Sequence, residues 1–508
     1  MLTETSVEKF QKRKAIVHLS ILLGTTLCIG LYLICTTVLV AKDSVIFVKY
    51  AQALAGDPSS TMLREYQHPG YPVLILAIHR IADTVFDGSS PLGWIYSAQA
   101  VTLIFRLLAA AVLYFVGRRI TGEAFAFWGV LILILLPKPA HFGSDALSDW
   151  PHIFFLAAGF LLLMYAAAGK KWWLFGLVGV SSGVGYLIRP ECVQLIIFGL
   201  LWLALQLFRT KRTMSLKKTA LALVVLLVGF VVAAGPYMKL KGSMFPKKRL
   251  VQSLPAARFG EVYEPQRRMP SRGIYTAGFA PSDLARALHK LVEMIGDTLM
   301  WFLVLPLAIG LYKYYRRGRW YEPGKFFTTV LILLNTAVMI LLYCKYGYMS
   351  RRHTFPLVVF TIFHVPVGLY SLAYLLRQKF SAKIESSFSI KADANFWFAV
   401  LFVSCIVICA PKLLRPIRSG SRNYRQAAEW LAENTDAGDI IDSSDGRITF
   451  YAGREGVQYD GRVISKDARY VVEVLKKGAA STIGSEELAV AKRFESPDGK
   501  SKIVIYSN

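Results

Sequence analysis

The chain has 508 residues, 54% of them hydrophobic and 18% charged, with a formal net charge of +26. Water-soluble chains carry about 25% charged residues, so the composition excludes a string of soluble domains, and with it disorder, a collagen-like fibre and a small disulfide scaffold. The charge does not mark a nucleic-acid binder: Arg415 to Asn508 hold 15 basic and 14 acidic residues, so the excess lies in and between the apolar runs, where it sets topology and meets anionic lipid or phosphate.

About 20 apolar residues cross a hydrocarbon core of ~30 Å. In chain order, runs of this kind fall at about 17–41, 92–117, 124–140, 146–168, 172–187, 193–208, 219–238, 298–312, 326–343, 355–376 and 396–413. Eleven spanning helices is the reading taken; the fifth and eighth runs are short, which leaves a range of ten to thirteen. Lys9, Lys12, Arg13 and Lys14 precede the first run. That run is too long for a signal-peptide core and lacks a small-x-small cleavage site, so it reads as an uncleaved helix. Gly176, Gly179, Gly183 and Gly185 in the fifth run imply close helix packing. With the N-terminus in the cytoplasm, the inner connections collect 22 Lys and Arg residues and the short outer ones 4, the asymmetry expected of cytoplasmic loops. An odd number of spans then puts the C-terminus outside. The six cysteines lie in or beside apolar runs and read as small buried hydrophobes. None follows Arg415, so no disulfide forms there.

Three outer segments are long. Residues 42–91 contain two stretches, 45–55 and 70–86, too short or too polar to span, which read as interfacial helices. Residues 241–296 are proline-rich loop closing on an amphipathic helix over 282–294. Residues 414–508 read as a small soluble α/β domain: a helix over 422–434, a strand over 439–442, a helical turn over 447–452, a helix over 468–477 and a strand over 502–506. Residues 1–413 then form one transmembrane domain. No internal repeat of 20–50 residues stands out.

Charge at a membrane edge is costly and points to function. Four constellations gather on the outer face. Asp43 follows the first span in Ala41-Lys42-Asp43-Ser44, with Tyr50, Gly56 and His68-Pro69-Gly70-Tyr71-Pro72 downstream. Such a carboxylate can take a proton from an acceptor hydroxyl, or it can pair with Lys42 or cap the next helix. Asp145 and Asp149 share one outer turn, as helix caps or as an acceptor or metal site. Arg189 and Glu191 flank Pro190, as a salt bridge at a helix break or as an arginine aimed at phosphate and oriented by the carboxylate. Lys345, Arg351, Arg352 and His353 precede the tenth span. Cations there oppose the helix dipole, so they bind an anion or snorkel to headgroups. No phosphate-binding P-loop, zinc-protease histidine pair or Gly-x-Ser-x-Gly elbow is present, and ATP-driven function has no support.

In this order the four constellations resemble the GT-C superfamily of polyprenyl-phosphate-sugar-dependent glycosyltransferases, which includes protein O-mannosyltransferases and lipid A aminoarabinose transferases. The nearest type is bacterial and family-39-like. The resemblance rests on Asp43 with Tyr50, Gly56 and His68 to Pro72, on Ser144-Asp145-Ala146-Leu147, on Arg189-Pro190-Glu191, on Ser350-Arg351-Arg352-His353-Thr354-Phe355-Pro356-Leu357, and on the tail from Asn423 to Leu431. Many relatives show two adjacent acids where this chain has Lys42-Asp43-Ser44, and a tyrosine where it has Arg352 or His353.

The resemblance implies a polytopic α-helical GT-C-like fold in a bacterial inner membrane, with the active site and C-terminal domain extracytoplasmic. The donor would be a polyprenyl-phosphate sugar and the acceptor a hydroxyl on a lipid, glycan or protein. Asp43 would be the general base of an inverting transfer. Arg189, Arg351 and Arg352 would hold the donor phosphate, with Lys345, His353 and Glu191 beside them. Asp145, with Asp149 and His68, would position the acceptor or a divalent metal, and residues 241–296 would close as a lid. Nucleic acid is not an implied partner. Two rivals remain. A transporter or flippase predicts inverted repeats and mid-membrane ionisable groups, of which Arg106 is the one seen. An O-antigen-ligase or polymerase-like enzyme is kept alive by the long 241–296 loop. Asp43 after the first span favours the transferase.

Overall fold

The computed structural model describes residues 4–84, 90–169, 171–209, 214–243, 281–316, 322–388, 392–459, 461, 464–481, 483 and 488–507. In chain order its helices are α1 (Glu4–Cys35), α2 (Lys42–Gly56), α3 (Pro58–Arg64), α4 (Gly70–Asp83), α5 (Pro91–Ile120), α6 (Glu123–Leu135), α7 (Pro137–Phe142), α8 (Asp149–Gly169), α9 (Leu174–Ile188), α10 (Gln194–Phe208), α11 (Leu216–Lys241), α12 (Pro281–Thr298), α13 (Val304–Arg316), α14 (Pro323–Tyr346), α15 (Phe355–Thr361), α16 (His364–Phe388), α17 (Ala394–Leu413), α18 (Arg422–Asn434) and α19 (Gly446–Tyr451).

Among the described residues, seven helices are long and apolar enough to cross a membrane. The number is eight if α15 and α16, bent by 53° at their junction, count as one span. The chain is an integral membrane protein. Each of the eleven apolar runs contains a helix, but α6, α9 and α13 have 13, 15 and 13 residues, short of the usual span. Proline sets two of these ends. Pro137 follows α6 and Pro190 follows α9, and the residue before a proline is driven out of the helical region.

Residues 42–91 hold the two expected helices, α2 and α4, and between them α3. That helix is started by Asp57, whose Oδ1 accepts from Ser60 N at 3.1 Å, with proline in the first turn, the usual chemistry of a capped N-terminus. The amphipathic helix expected over 282–294 is α12. Residues 244–280, most of the expected lid, lie outside the described residues.

The chain sorts into two compact units. The first comprises Met1–Gly24, Leu108–Pro139 and His152–Pro411. In it α9 and α11 approach at backbone distance. A Cβ at Gly179 would lie 2.1 Å from Leu226 O, and one at Gly229 would lie 2.4 Å from Gly176 O, so hydrogen is the side chain that fits. The Phe160 ring packs on Phe198, Phe327 and Phe360. Asn335 donates to Gln194 Oε1 at 2.8 Å, tying α14 to α10.

The second unit comprises Thr25–Leu107, Ala140–Pro151 and Lys412–Asn508. Its C-terminal part is a five-stranded sheet of order β2-β1-β3-β5-β4, with β1 (Ile440–Ser443), β2 (Glu455–Gln458), β3 (Ala468–Lys476), β4 (Ala489–Glu495) and β5 (Ser501–Ser507). β1 lies parallel to β2 and β3, and β5 lies antiparallel to β3 and β4. One face packs Ile441, Val472, Ile503 and Ile505 against Ala427, Ala428 and Leu431 of α18. The other buries Val471, Val504 and Tyr506 with Tyr459 and Ile483.

The helix expected over 468–477 is a correction: the segment is β3, the central strand. Its run of Val471, Val472, Val474 and Leu475 reads as helix-like because both faces are covered, which removes the alternation of a half-buried strand.

Candidate active site

The second unit builds its site around the residues that follow the first span. Residues 36–41 leave the helix and run without a ladder of their own, so their backbone groups need outside partners. Those partners come from far along the chain. Val38 N donates to Ile417 O at 3.2 Å. Leu39 O accepts from Arg418 Nη1 at 3.0 Å, and Val40 O accepts from Arg447 Nη1 at 3.3 Å. Val40 N donates to the Tyr451 hydroxyl at 3.2 Å. Ala41 N and Ser44 Oγ both donate to Asp145 Oδ1, at 3.0 and 3.2 Å. Lys42 Nζ lies 3.0 Å from Asp445 Oδ2.

The anchors are themselves paired. Arg418 Nη2 meets Asp145 Oδ2 at 2.7 Å, and Arg447 grips Asp445 through Nε and Nη2 at 3.0 and 2.9 Å. Burial alone would raise the Asp445 carboxyl. The hydrogen bond and charge of Arg447, with Lys42 behind them, outweigh it and hold the group below the usual carboxylate range. Burial alone would lower Arg447, and Asp445 reverses this, leaving the guanidinium more firmly protonated. Asp43, half-buried in the first turn of α2, therefore sits in a stretch fixed at residues 38–42 and 44.

The rest of the unit braces that stretch. Tyr50, on the buried face of α2, is 1% exposed, and burial pushes its hydroxyl well up. Tyr71 of α4 donates to Ala98 O at 3.0 Å, shares a 2.8 Å hydrogen bond with Thr102 and sets its ring edge to Phe47. His68, just before α4, is buried, as are Asp145 and Asp149. Gln99 holds the outer turn by donating to Ser144 O at 2.7 Å. Arg106, the ionisable group seen in mid-span, lies over Trp150 at 5.7 Å and against Gly143.

The first unit holds the cationic candidates. Arg189 is the extended residue ending α9, with its Nε 3.6 Å from Glu191 Oε1. Arg351 donates through Nε to Asp297 Oδ2 at 3.1 Å, and Trp301 Nε1 donates to Oδ1 of the same carboxylate at 3.2 Å. The Arg351 hydrogen bond holds Asp297 below the carboxylate range. Met300 and Trp301 both have positive φ, 58° and 62°, uncommon for such side chains. Lys345, exposed in the last turn of α14, lies 5.5 Å from the Tyr346 ring. Arg352 and His353 are half-buried in the turn that follows, where the His353 ring meets Tyr348 edge-on.

The structure thus gathers Asp43, His68, Asp145 and Asp149 in one unit and Arg189, Glu191, Lys345, Arg351, Arg352 and His353 in the other. Asp145, expected to face an acceptor or metal, has both oxygens engaged by Ala41, Ser44 and Arg418. Among the described residues no group of three His, Cys, Asp or Glu side chains is arranged to hold a metal ion. Sequence reasoning missed Asp297, Arg418, Asp445, Arg447 and Tyr451. One signal was present. Arg415, Arg418, Arg422 and Arg425 crowd residues 415–425, just after the last span, and such a cluster calls for local partners.

Residues 67–235 match the family described as dolichyl-phosphate-mannose-protein mannosyltransferase. ArnT from Cupriavidus metallidurans, in its structure bound to undecaprenyl phosphate, is 13% identical, with 96% of this chain and 97% of that chain covered at a TM-score of 0.57. The apo Archaeoglobus fulgidus oligosaccharyltransferase is 12% identical, covering 90% of this chain and 69% of that chain at 0.54. The oligosaccharyltransferase AglB of that organism, in complex with an inhibitory peptide and a dolichol-phosphate, also aligns at 0.54 with 12% identity, over 91% of this chain and 69% of that one. No curated protein matches the chain in sequence. The chain therefore shares the GT-C-like fold of these membrane proteins along nearly its whole length, and the family match lies within it.

Proposed function

We propose that the protein moves a sugar from a polyprenyl-phosphate donor to a hydroxyl acceptor on the extracytoplasmic face, with Asp43 as general base. The observation that carries this is the immobilised stretch around Asp43. Ion pairs to buried carboxylates and non-local hydrogen bonds fix residues 38–42 and 44, and a base must be held at a set distance from the proton it removes.

In the reaction the acceptor O–H proton passes to the Asp43 carboxylate. The oxygen attacks the anomeric carbon while the bond from that carbon to the phosphate oxygen breaks. The electron pair leaves with the phosphate, and configuration inverts. The leaving group gains negative charge, so cations aimed at it stabilise the transition state. Arg189, oriented by Glu191, takes that role together with Arg351, Arg352, Lys345 and His353. Phosphate is a good leaving group, and no separate general acid is required.

The test is release of free polyprenyl phosphate by purified protein, offered a panel of polyprenyl-phosphate sugars with envelope acceptors. Asp43→Asn is expected to bind donor normally and to lose at least about a hundredfold in turnover, the usual share of general base catalysis. Turnover undiminished in Asp43→Asn removes the residue from the mechanism. Failure of wild type to bind any donor removes the transferase reading.

A further inference from the structure

One cluster of buried polar groups has no part in this chemistry. It lies in the first unit, at the helix ends that the lysine and arginine asymmetry assigns to the cytoplasmic face. A cavity of about 640 Å³ opens there among α5, α6, α13, α14 and α16. Lys325 and His364 line it and are 5% and 0% exposed. Among the described residues, neither the Lys325 ammonium nor either ring nitrogen of His364 has a hydrogen-bond partner. Both groups rest on Tyr314, the ammonium 5.4 Å from its ring centre and the imidazole 4.6 Å.

A cation over an aromatic face recovers about 0.5–2 kcal/mol, while burying an ammonium costs several kcal/mol unless it is paired. Glu322 lines the same cavity, and its carboxylate makes no hydrogen bond to the Lys325 ammonium. The Lys325 ammonium thus lacks a hydrogen-bonded anion among the described residues. The mouth of the cavity shows where the anion comes from. Tyr370 and Tyr374 border the cavity on α16 and are 39% and 49% exposed. Exposed tyrosines at a span's end mark the headgroup level of the bilayer, so the cavity opens sideways to lipid.

We propose that this cavity binds the phosphate headgroup of a cytoplasmic-leaflet lipid, with Lys325 as its charge partner and a ring N–H of His364 as a second donor. The inference stands whether or not Asp43 is the catalytic base.

The experiment places purified protein in phosphatidylcholine nanodiscs containing a minor fraction of phosphatidylglycerol. Native mass spectrometry counts the retained lipid in wild type, Lys325→Met and Val367→Trp. The tryptophan adds bulk to the cavity lining and leaves Lys325 and His364 themselves unchanged. Wild type is expected to hold one phosphatidylglycerol that both variants release, with affinity lower by about tenfold in Lys325→Met, the loss of one charge-assisted hydrogen bond. A parallel arm replaces the lipid by inorganic phosphate and follows thermal unfolding. Stabilisation by phosphate alone, absent in Lys325→Met, assigns the site to the free anion instead of the lipid. Equal phosphatidylglycerol retention by all three proteins, or retention of phosphatidylcholine in its place, would overturn the proposal.

Discussion

Asp145 reads in the sequence as an acid in a short turn, and in the fold it is held by three partners. In the outer turn it reads as an acid poised for an acceptor or a metal. In the structure one oxygen takes two hydrogen bonds from residues 41 and 44, and the other meets Arg418. We expect Asp145→Ala to lower stability by about 2–3 kcal/mol, because it leaves a partly buried arginine without its partner; thermal unfolding in detergent reads this out. If the residue acts by holding the Asp43 stretch, turnover by the folded variant falls while acceptor KM stays put, and a rise in acceptor KM with turnover intact would instead mark a direct contact. Arg418 is itself held at a positive φ of 54°, a conformation that costs a non-glycine residue about 1–2 kcal/mol. Its bonds to Leu39 and Asp145 offset that cost. Asp445 makes a statement about pH. Its folded carboxyl lies below its unfolded value of about 3.9, so its contribution is complete above that value and is lost as pH falls through the folded one. Stability attributable to Asp445 is therefore flat from pH ~5 to ~8 and drops below pH ~4, and Asp445→Asn flattens that drop in an acid titration of the unfolding midpoint.

At the scale of elements, the membrane helices were legible because a span is a local property: about 20 apolar residues announce themselves without knowledge of any partner. The glycines of the fifth run were legible for the same reason, and Gly179 and Gly183 meet the α11 backbone. Gly179→Leu should drive α9 from α11 and destabilise the protein by at least about 2 kcal/mol, since the obstruction is Leu226 backbone and cannot swing aside; a lowered unfolding temperature against Gly24→Leu, where nothing lies within 4 Å of the added Cβ, checks it. The sheet was harder to see. β3 is apolar on both faces and imitates a buried helix. β2 and β4 are edge strands with mostly exposed side chains, and their polar and charged residues, which discourage pairing with another chain, erase the apolar signal that finds strands.

Over the whole molecule, the ordered motifs and the charge asymmetry made the GT-C architecture readable, because each depends on residues near one another in sequence. The support of Asp43 was not readable. The partners of its stretch stand 379 to 411 residues away in the tail, and 101 and 104 away at Asp145, and no local pattern reports such separations. Residues Lys412–Asn508 fall in one compact unit with Thr25–Leu107 and Ala140–Pro151. Ending the chain after Leu413 would strip the 38–42 stretch of four hydrogen-bond partners and the Asp445 charge. We expect such a protein to insert in the membrane, to bind donor and to lose turnover, which membrane fractionation and the polyprenyl-phosphate release assay measure separately. The same geometry governs how parts can be exchanged between related proteins. A hybrid that takes its tail from a relative would join an Arg447 and Arg418 shaped for one loop to a loop shaped for another. A working hybrid must carry residues 36–44, the 140–151 turn and the tail as one inherited set, although they lie in three separate stretches of the chain.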